Sequence, residues 1–286
     1  MLVYIENKNI LAQILTLLDI SKIEYTTNIK NRYNKILITD INNKILKIIK
    51  NKKAILLTNY IEDKILNKDL NIENLKIITS MPILKNNKNT TFIPKPIPRY
   101  NVKKNKEIYT NYNISKNKKK IIIIDKYLKY IKELENIMES NPDYEIIYVG
   151  YKNIKKQEKL NNVIWIKYIN LDIFNDLCNI SNIVIIFDKD IDIDYIYMAI
   201  LTHTEIFMIE DNMYNNYFVS SKHYYSFNDT KNLNEKLKKL LTSRTSSLND
   251  NAYLLIQDNT EKKYIEEIKK ILKWFFFDII YCSKYI

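Results

Sequence analysis

Between Lys118 and Ile209, short β-branched runs alternate with amphipathic stretches: KKKIIIID, YEIIYVG, NVIWIKY, NIVIIFD and EIFMI, with helical patterns between them. This alternation constrains the fold more than any other feature. Strands buried on both faces read as nearly continuous apolar runs, and parallel neighbours need a crossover that is usually a helix. The stretch therefore predicts βαβ units around a buried parallel sheet. Any ligand belongs in the loops beyond the carboxyl ends of the strands.

The flanking sequence divides around this stretch. Before it, strands are expected at Leu2–Ile5, Ile23–Thr27, Lys35–Thr39, Ala54–Thr58 and Leu75–Thr79, with helices over Lys8–Leu18, Asn43–Ile49 and Glu62–Leu66. Four of the five prolines then lie in MPILKNNKNTTFIPKPIPRY, where proline fixes its own φ and restricts the preceding residue, so an extended segment is expected. The polar, basic run after it predicts a linker. Within the second half, strands are expected at Lys120–Ile124, Glu145–Val149, Val163–Ile166, Ile183–Phe187, Glu205–Ile209 and, at an edge, Tyr224–Phe227. Helices are expected over Tyr127–Met138, Leu171–Cys178, Asp194–Leu201 and Leu233–Leu241, with a loop at TSRTSSLNDN and a last helix from Thr260 to Phe277. The domains expected are residues 1–100, a linker at 101–117, residues 118–259, and a terminal helix over 260–286 that packs back on the first domain.

Composition narrows the chemistry. The chain has one glycine, Gly150, which excludes the glycine-rich phosphate loops of dinucleotide-binding and P-loop folds. Phosphate must then be held by side chains and helix N-termini. A net charge of +12 favours anionic partners, but the lysines are spread through the chain and no nucleic-acid motif accompanies them, which argues against nucleic acid. Two cysteines in 286 residues, with no metal-ligand spacing, predict neither a disulfide scaffold nor a zinc site. No apolar run reaches the roughly 20 residues of a membrane span and no secretory leader is recognisable, so a cytoplasmic location is expected. The aromatics Trp274–Phe277 beside Lys273 leave peripheral contact with the inner face of a membrane open.

Candidate residues follow from strand ends. Lys126 and Lys129 lie just beyond the first strand of the second half, where ammonium groups can meet a phosphate. Asp188, Asp190, Asp192 and Asp194 form an alternating acidic loop after the fourth strand; it lacks the glycine and closing glutamate of a calcium loop, and no metal is expected. Asp194 is expected to cap the following helix. Asn170 and Asp172 open the helix after the third strand, and His203 lies between helix and strand, at an end expected to face the ligand. In the first half, Thr58, Asn59, Tyr60 and Ser80 follow strands and could line a ligand groove.

The second half resembles the donor-binding domain of two-domain glycosyltransferases of the GT-B type, in outline the retaining group 1, or family 4, enzymes. TFIPKPIP at Thr91–Pro98 is similar to that family's extended segment, and the strand, helix and strand closing on Gly150 follow in its order. NVIW at Asn162–Trp165 and YYSFNDTKNLNEKLKKLL also resemble family segments. The resemblance implies two Rossmann-like domains facing each other across a cleft, and an enzyme that moves a sugar from a nucleotide-diphosphate sugar to a glycan, glycolipid or protein. No cofactor is implied beyond that donor. Lys126 and Lys129 would clamp the diphosphate, Asn170 and Asp172 would contact the nucleotide, and Asp190 would stand at the first of two family glutamates, bonding the sugar's hydroxyls. Met198 stands at the second, with Ala199 at the family alanine, and His203 and Glu205 at its glycine and proline; ENKN replaces an early glycine-rich turn. His203 joins Lys126 and Asp190 as a candidate catalytic residue. The alternative left by these departures is a sugar- or partner-binding protein that keeps the fold without catalysis.

Overall fold

The computed structural model of the chain describes residues 2–4, 27, 35–38, 53–58, 75–79, 90–98, 105–126, 129–150, 163–167, 169–242 and 248–282. The chain forms two compact units, Met1–Pro96 with Glu261–Ile286, and Ile97–Thr260. Both are α/β. The helices expected over Lys8–Leu18, Asn43–Ile49 and Glu62–Leu66 lie outside the described residues, as do Asn59, Tyr60, Ser80 and the Glu6–Asn9 turn.

In the first unit, β1 (Leu2–Tyr4), β2 (Lys35–Ile38), β3 (Lys53–Thr58), β4 (Leu75–Thr79) and β5 (Thr90–Phe92) form a parallel sheet in sequential order. Ile36, Leu37 and Ile38 are buried in succession, as are Ala54, Ile55 and Leu56, which requires cover on both faces. Thr90–Phe92, within the proline-rich stretch, pairs with β4 as an edge strand, and the Ile93 amide donates to the Thr79 carbonyl at 2.9 Å. Edge position suits it, because the prolines that follow cannot donate to a further neighbour.

The second unit holds a six-stranded parallel sheet: β6 (Lys119–Ile124), β7 (Tyr144–Val149), β8 (Val163–Ile166), β9 (Ile183–Ile186), β10 (Glu205–Ile209) and β11 (Tyr225–Phe227), in the order β11-β10-β9-β6-β7-β8. Its helices are α1 (Glu107–Asn111), α2 (Ile131–Ser140), α3 (Leu171–Ile180), α4 (Ile193–Leu201), α5 (Thr230–Thr242) and α6 (Leu248–Ile256); α7 (Glu261–Cys282) belongs to the first unit. The period of two along each strand sorts its residues between two cores. Ile122 and Ile124 of β6, with Val184 and Ile186 of β9, face a layer containing Phe174, Leu177, Ile196, Ala252 and Ile256. Ile121 and Ile123, with Ile183 and Ile185, face Leu134 and Ile137 of α2 and Leu233 and Leu237 of α5. Each fully buried isoleucine stabilises by about 1.5–3 kcal/mol relative to exposure, so truncating any of β6's four would damage one core.

Three elements differ from the sequence pattern. The stretch from Asn105, expected as linker, carries α1 and buries Ile108 and Ile114 in the second unit. α6 begins inside the expected TSRTSSLNDN loop; its Asn249 is buried and donates to the Ala199 and Thr204 carbonyls at 3.3 and 2.8 Å, bonds that local pattern cannot display. α2 starts at Ile131 rather than Tyr127. Among the described residues, no helix is long and apolar enough to cross a membrane.

Candidate functional site

Strand order reverses at β6, which has β7 on one side and β9 on the other. Open parallel sheets bind ligands at such a point, beyond the carboxyl ends of the strands. Two aspartates stand there. Asp125 follows β6 directly, and Asp188 follows β9 after Phe187, whose amide donates to the Ile124 carbonyl at 3.0 Å.

Both carboxylates are built into the turn between β6 and α2. Asp188 Oδ2 accepts the Lys126 amide at 2.7 Å. Asp125 Oδ2 accepts the Tyr130 amide at 2.8 Å and the Tyr148 hydroxyl from β7. Asp125 is wholly buried, and its Oδ1 makes no hydrogen bond among the described residues. The Tyr130 ring stacks on Phe187 with centroids 4.5 Å apart, fixing the other side of the turn. This explains the late start of α2, since the Tyr130 amide is engaged by Asp125. It also leaves Lys129 exposed ahead of the helix, with Lys126 half-buried at the turn's beginning.

Electrostatics at this point are opposed. Burial pushes the Asp188 carboxyl up to about 6; the Lys126 amide pulls it back, Asp125 and Asp190 add to the rise, and the Lys126 charge lowers it. Burial, then the bond to Asp125, hold the Tyr148 phenol far above its ordinary range, so it remains a donor.

The acidic loop after β9 has separate local duties. Asp192, not Asp194, is the N-cap of α4, its side chain accepting the Asp194 amide at 3.1 Å; this corrects the expected cap. Asp194 lies buried in the helix's first turn. Asp190 is exposed in the turn between Asp188 and the cap. A segment after β10 fastens the loop: Asn212 Nδ2 donates to the Asp188 carbonyl at 3.2 Å, and the Tyr214 hydroxyl to that of Ile191 at 2.9 Å. Lys189 and Asp211 form an exposed ion pair at 3.6 Å.

Lys126, Lys129, Asp190, Asn170 and Asp172 all follow strand ends, and so lie at the carboxyl end of the sheet. Asn170 follows β8, on the edge beyond β7. It is the N-cap of α3, its side-chain oxygen accepting the Ile173 amide at 2.9 Å, while Asp172 is exposed in the first turn.

His203 does not join them. It lies between α4 and the first residue of β10, at the amino end of a parallel sheet, where its exposed ring stacks on Tyr253 at 6.0 Å and its Nδ1 lies 3.7 Å from Asp250. The error is one of direction: a helix-to-strand connection returns the chain to the opposite edge from a strand-to-helix one. Met198 is likewise no part of a site, being 2% exposed within the core. Among the described residues, no group of three or more His, Cys, Asp or Glu could hold a metal ion. Asp125 and Tyr148 were missed. Their signal was present in a polar residue closing IIIID and a tyrosine inside the buried run YEIIYVG.

No protein-family model matches the chain, and no curated protein matches it. Solved structures do. A glycosyltransferase from Rickettsia africae superposes with a TM-score of 0.62 at 11% identity, covering 95% of this chain and 89% of that one. HepE from Anabaena, in complex with UDP-glucose, gives 0.61 at 12% identity, covering 91% and 89%. A sucrose-phosphate synthase from Thermosynechococcus elongatus gives 0.60 at 12% identity, covering 85% and 74%. The chain has the two-sheet α/β architecture of GT-B-type glycosyltransferases, the α/β class that its strand pattern predicted and the fold type that its resemblance implied.

Proposed function

We propose that the chain is a glycosyltransferase that takes its sugar from a nucleotide-diphosphate donor and passes it to a glycan, glycolipid or protein acceptor. The observation that carries this reading is the fold likeness along most of the chain, which includes a structure holding UDP-glucose. The reversal of strand order at β6, with Lys126 on the turn beyond it, supports a donor site at this end of the second unit.

In this reading the anomeric C–O bond to the donor's β-phosphate breaks as the acceptor hydroxyl attacks the anomeric carbon. Negative charge develops on the departing diphosphate, and Lys126 and Lys129 stabilise it. With retention of configuration, the hydroxyl proton passes to the departing phosphate oxygen and no side-chain base is required. Asp190 accepts hydrogen bonds from the sugar's hydroxyls, and Asn170 and Asp172 meet the nucleotide, Asn170 through the amide nitrogen that capping does not use. The acceptor, if a glycolipid, would be met at the inner face of a membrane.

The test is calorimetric titration with UDP-glucose, then release of UDP in the presence of crude cell glycans. Saturable binding that weakens about 10–100-fold in Lys126→Ala, the loss of a charged hydrogen bond, and release that depends on acceptor are expected. Absence of binding by the folded protein to every nucleotide sugar in a panel would sink the reading. A second reading, a binding protein without catalysis, is favoured by the sequence itself, which has Met198 at the position the family resemblance gives to a donor-binding glutamate and lacks the family's glycines. It predicts UDP-glucose binding without acceptor-dependent release.

A further inference from the structure

Two backbone N–H groups beyond β6, near the place proposed for the donor's diphosphate, are occupied by the protein's own carboxylates. Asp188 Oδ2 lies 2.7 Å from the Lys126 amide and Asp125 Oδ2 lies 2.8 Å from the Tyr130 amide. Asp188 is thus an internal anion at the site proposed for the donor's diphosphate. It is 7% exposed, so water does little to screen it from a charge placed beside it.

We propose that Asp188 couples donor binding to proton uptake: its charged carboxylate opposes a diphosphate at the Lys126 turn, and the donor binds with Asp188 protonated. This rests on the donor reading above and adds a regulatory property to the same site.

The groups around Asp188 support a single coupled proton. Asp125 at the end of β6 and Asp190 on its own loop carry like charge, and Lys126 carries the opposite one. The Tyr130 and Tyr148 phenols, from the start of α2 and from β7, are both held above their ordinary range and stay neutral. The segment after β10 contributes the neutral Asn212 amide to Asp188's own carbonyl, and its Asp211 is paired with Lys189. A protonated Asp188 keeps a carbonyl oxygen for the Lys126 amide, so uptake of the proton removes charge without releasing the turn.

Its ordinary value raised to about 6 sets the window. A donor that binds only the protonated form weakens about 25-fold between about pH 5.5 and about pH 7.5, one proton being taken up per donor at the upper limit. UDP-glucose suits the test because its diphosphate, esterified at both ends, does not titrate in that range. The full chain is titrated across this range in two buffers of different ionisation enthalpy, which reports proton uptake by the wild-type protein directly. Asp188→Asn is titrated in parallel. The expected results are uptake approaching one proton at the higher pH, and an Asp188→Asn affinity that is flat with pH and equal to the wild-type value at the acidic end. Wild-type binding that is independent of pH, or a slope that persists in Asp188→Asn, overturns the coupling and leaves the donor reading intact. No binding by either protein at any pH, with both folded by circular dichroism, overturns the donor reading itself.

Discussion

Removing one hydroxyl, by Tyr148→Phe, tests whether the Asp125 network holds the β6–α2 turn. Asp125 is 0% exposed and, among the described residues, accepts hydrogen bonds on Oδ2 only, from the Tyr130 amide and the Tyr148 hydroxyl. A hydrogen bond to a charged group is worth about 1.5–3 kcal/mol, and the partner left behind has no solvent to turn to. The ring itself stays, so its contact with Trp165, centroids 4.8 Å apart, is kept and little packing is lost. The expected cost is therefore about 2 kcal/mol. At a urea dependence of about 2 kcal/mol per molar, the unfolding midpoint falls by about 1 M. Trp165 is a natural reporter, and a Trp274→Phe background leaves it the only indole in the chain. A midpoint unchanged within about 0.2 M, or an equal cost of Tyr148→Phe in an Asp125→Ala background, would refute the reasoning, because coupled partners must not be additive.

Two further outcomes follow from single residues. Asp188 ionises near 6 in the folded protein, above the ordinary carboxylate value, so its contribution to stability is full below about pH 4 and is lost as pH rises through about 6. Asp188→Asn should match the wild type at about pH 4 and exceed it by about 2–3 kcal/mol above about pH 7, the full shift being worth about 3; urea midpoints at the two pH values check this. Asn170→Ala removes the cap of α3 and should cost about 0.5–2 kcal/mol, with Asn170→Asp close to wild type, as read from thermal midpoints.

The second unit's sheet was legible because its strands are buried on both faces. IIII at 121–124 alternates between two cores and can be nothing but apolar, so local composition and tertiary position agree. α6 was hidden by the opposite circumstance. Asn249 looks like a loop residue, and only its bonds to carbonyls far away in sequence make it a buried helical one. The site divides in the same way. Lys126 and Asp190 could be placed from strand ends alone, whereas the Asp188–Lys126 bond joins residues 62 positions apart and depends on β6 and β9 being neighbours. His203 was misplaced because its alternating segments were read without their direction.

The first unit draws on both ends of the chain, whereas the second is continuous from Ile97 to Thr260. Ribosomal synthesis delivers these in an unusual order. The unit that begins first is completed last, since its closing helix emerges only after the whole of the inserted unit has been made. The inserted unit can thus complete its own contacts before the first unit has received its last helix, reversing the common sequence in which the N-terminal domain is completed first.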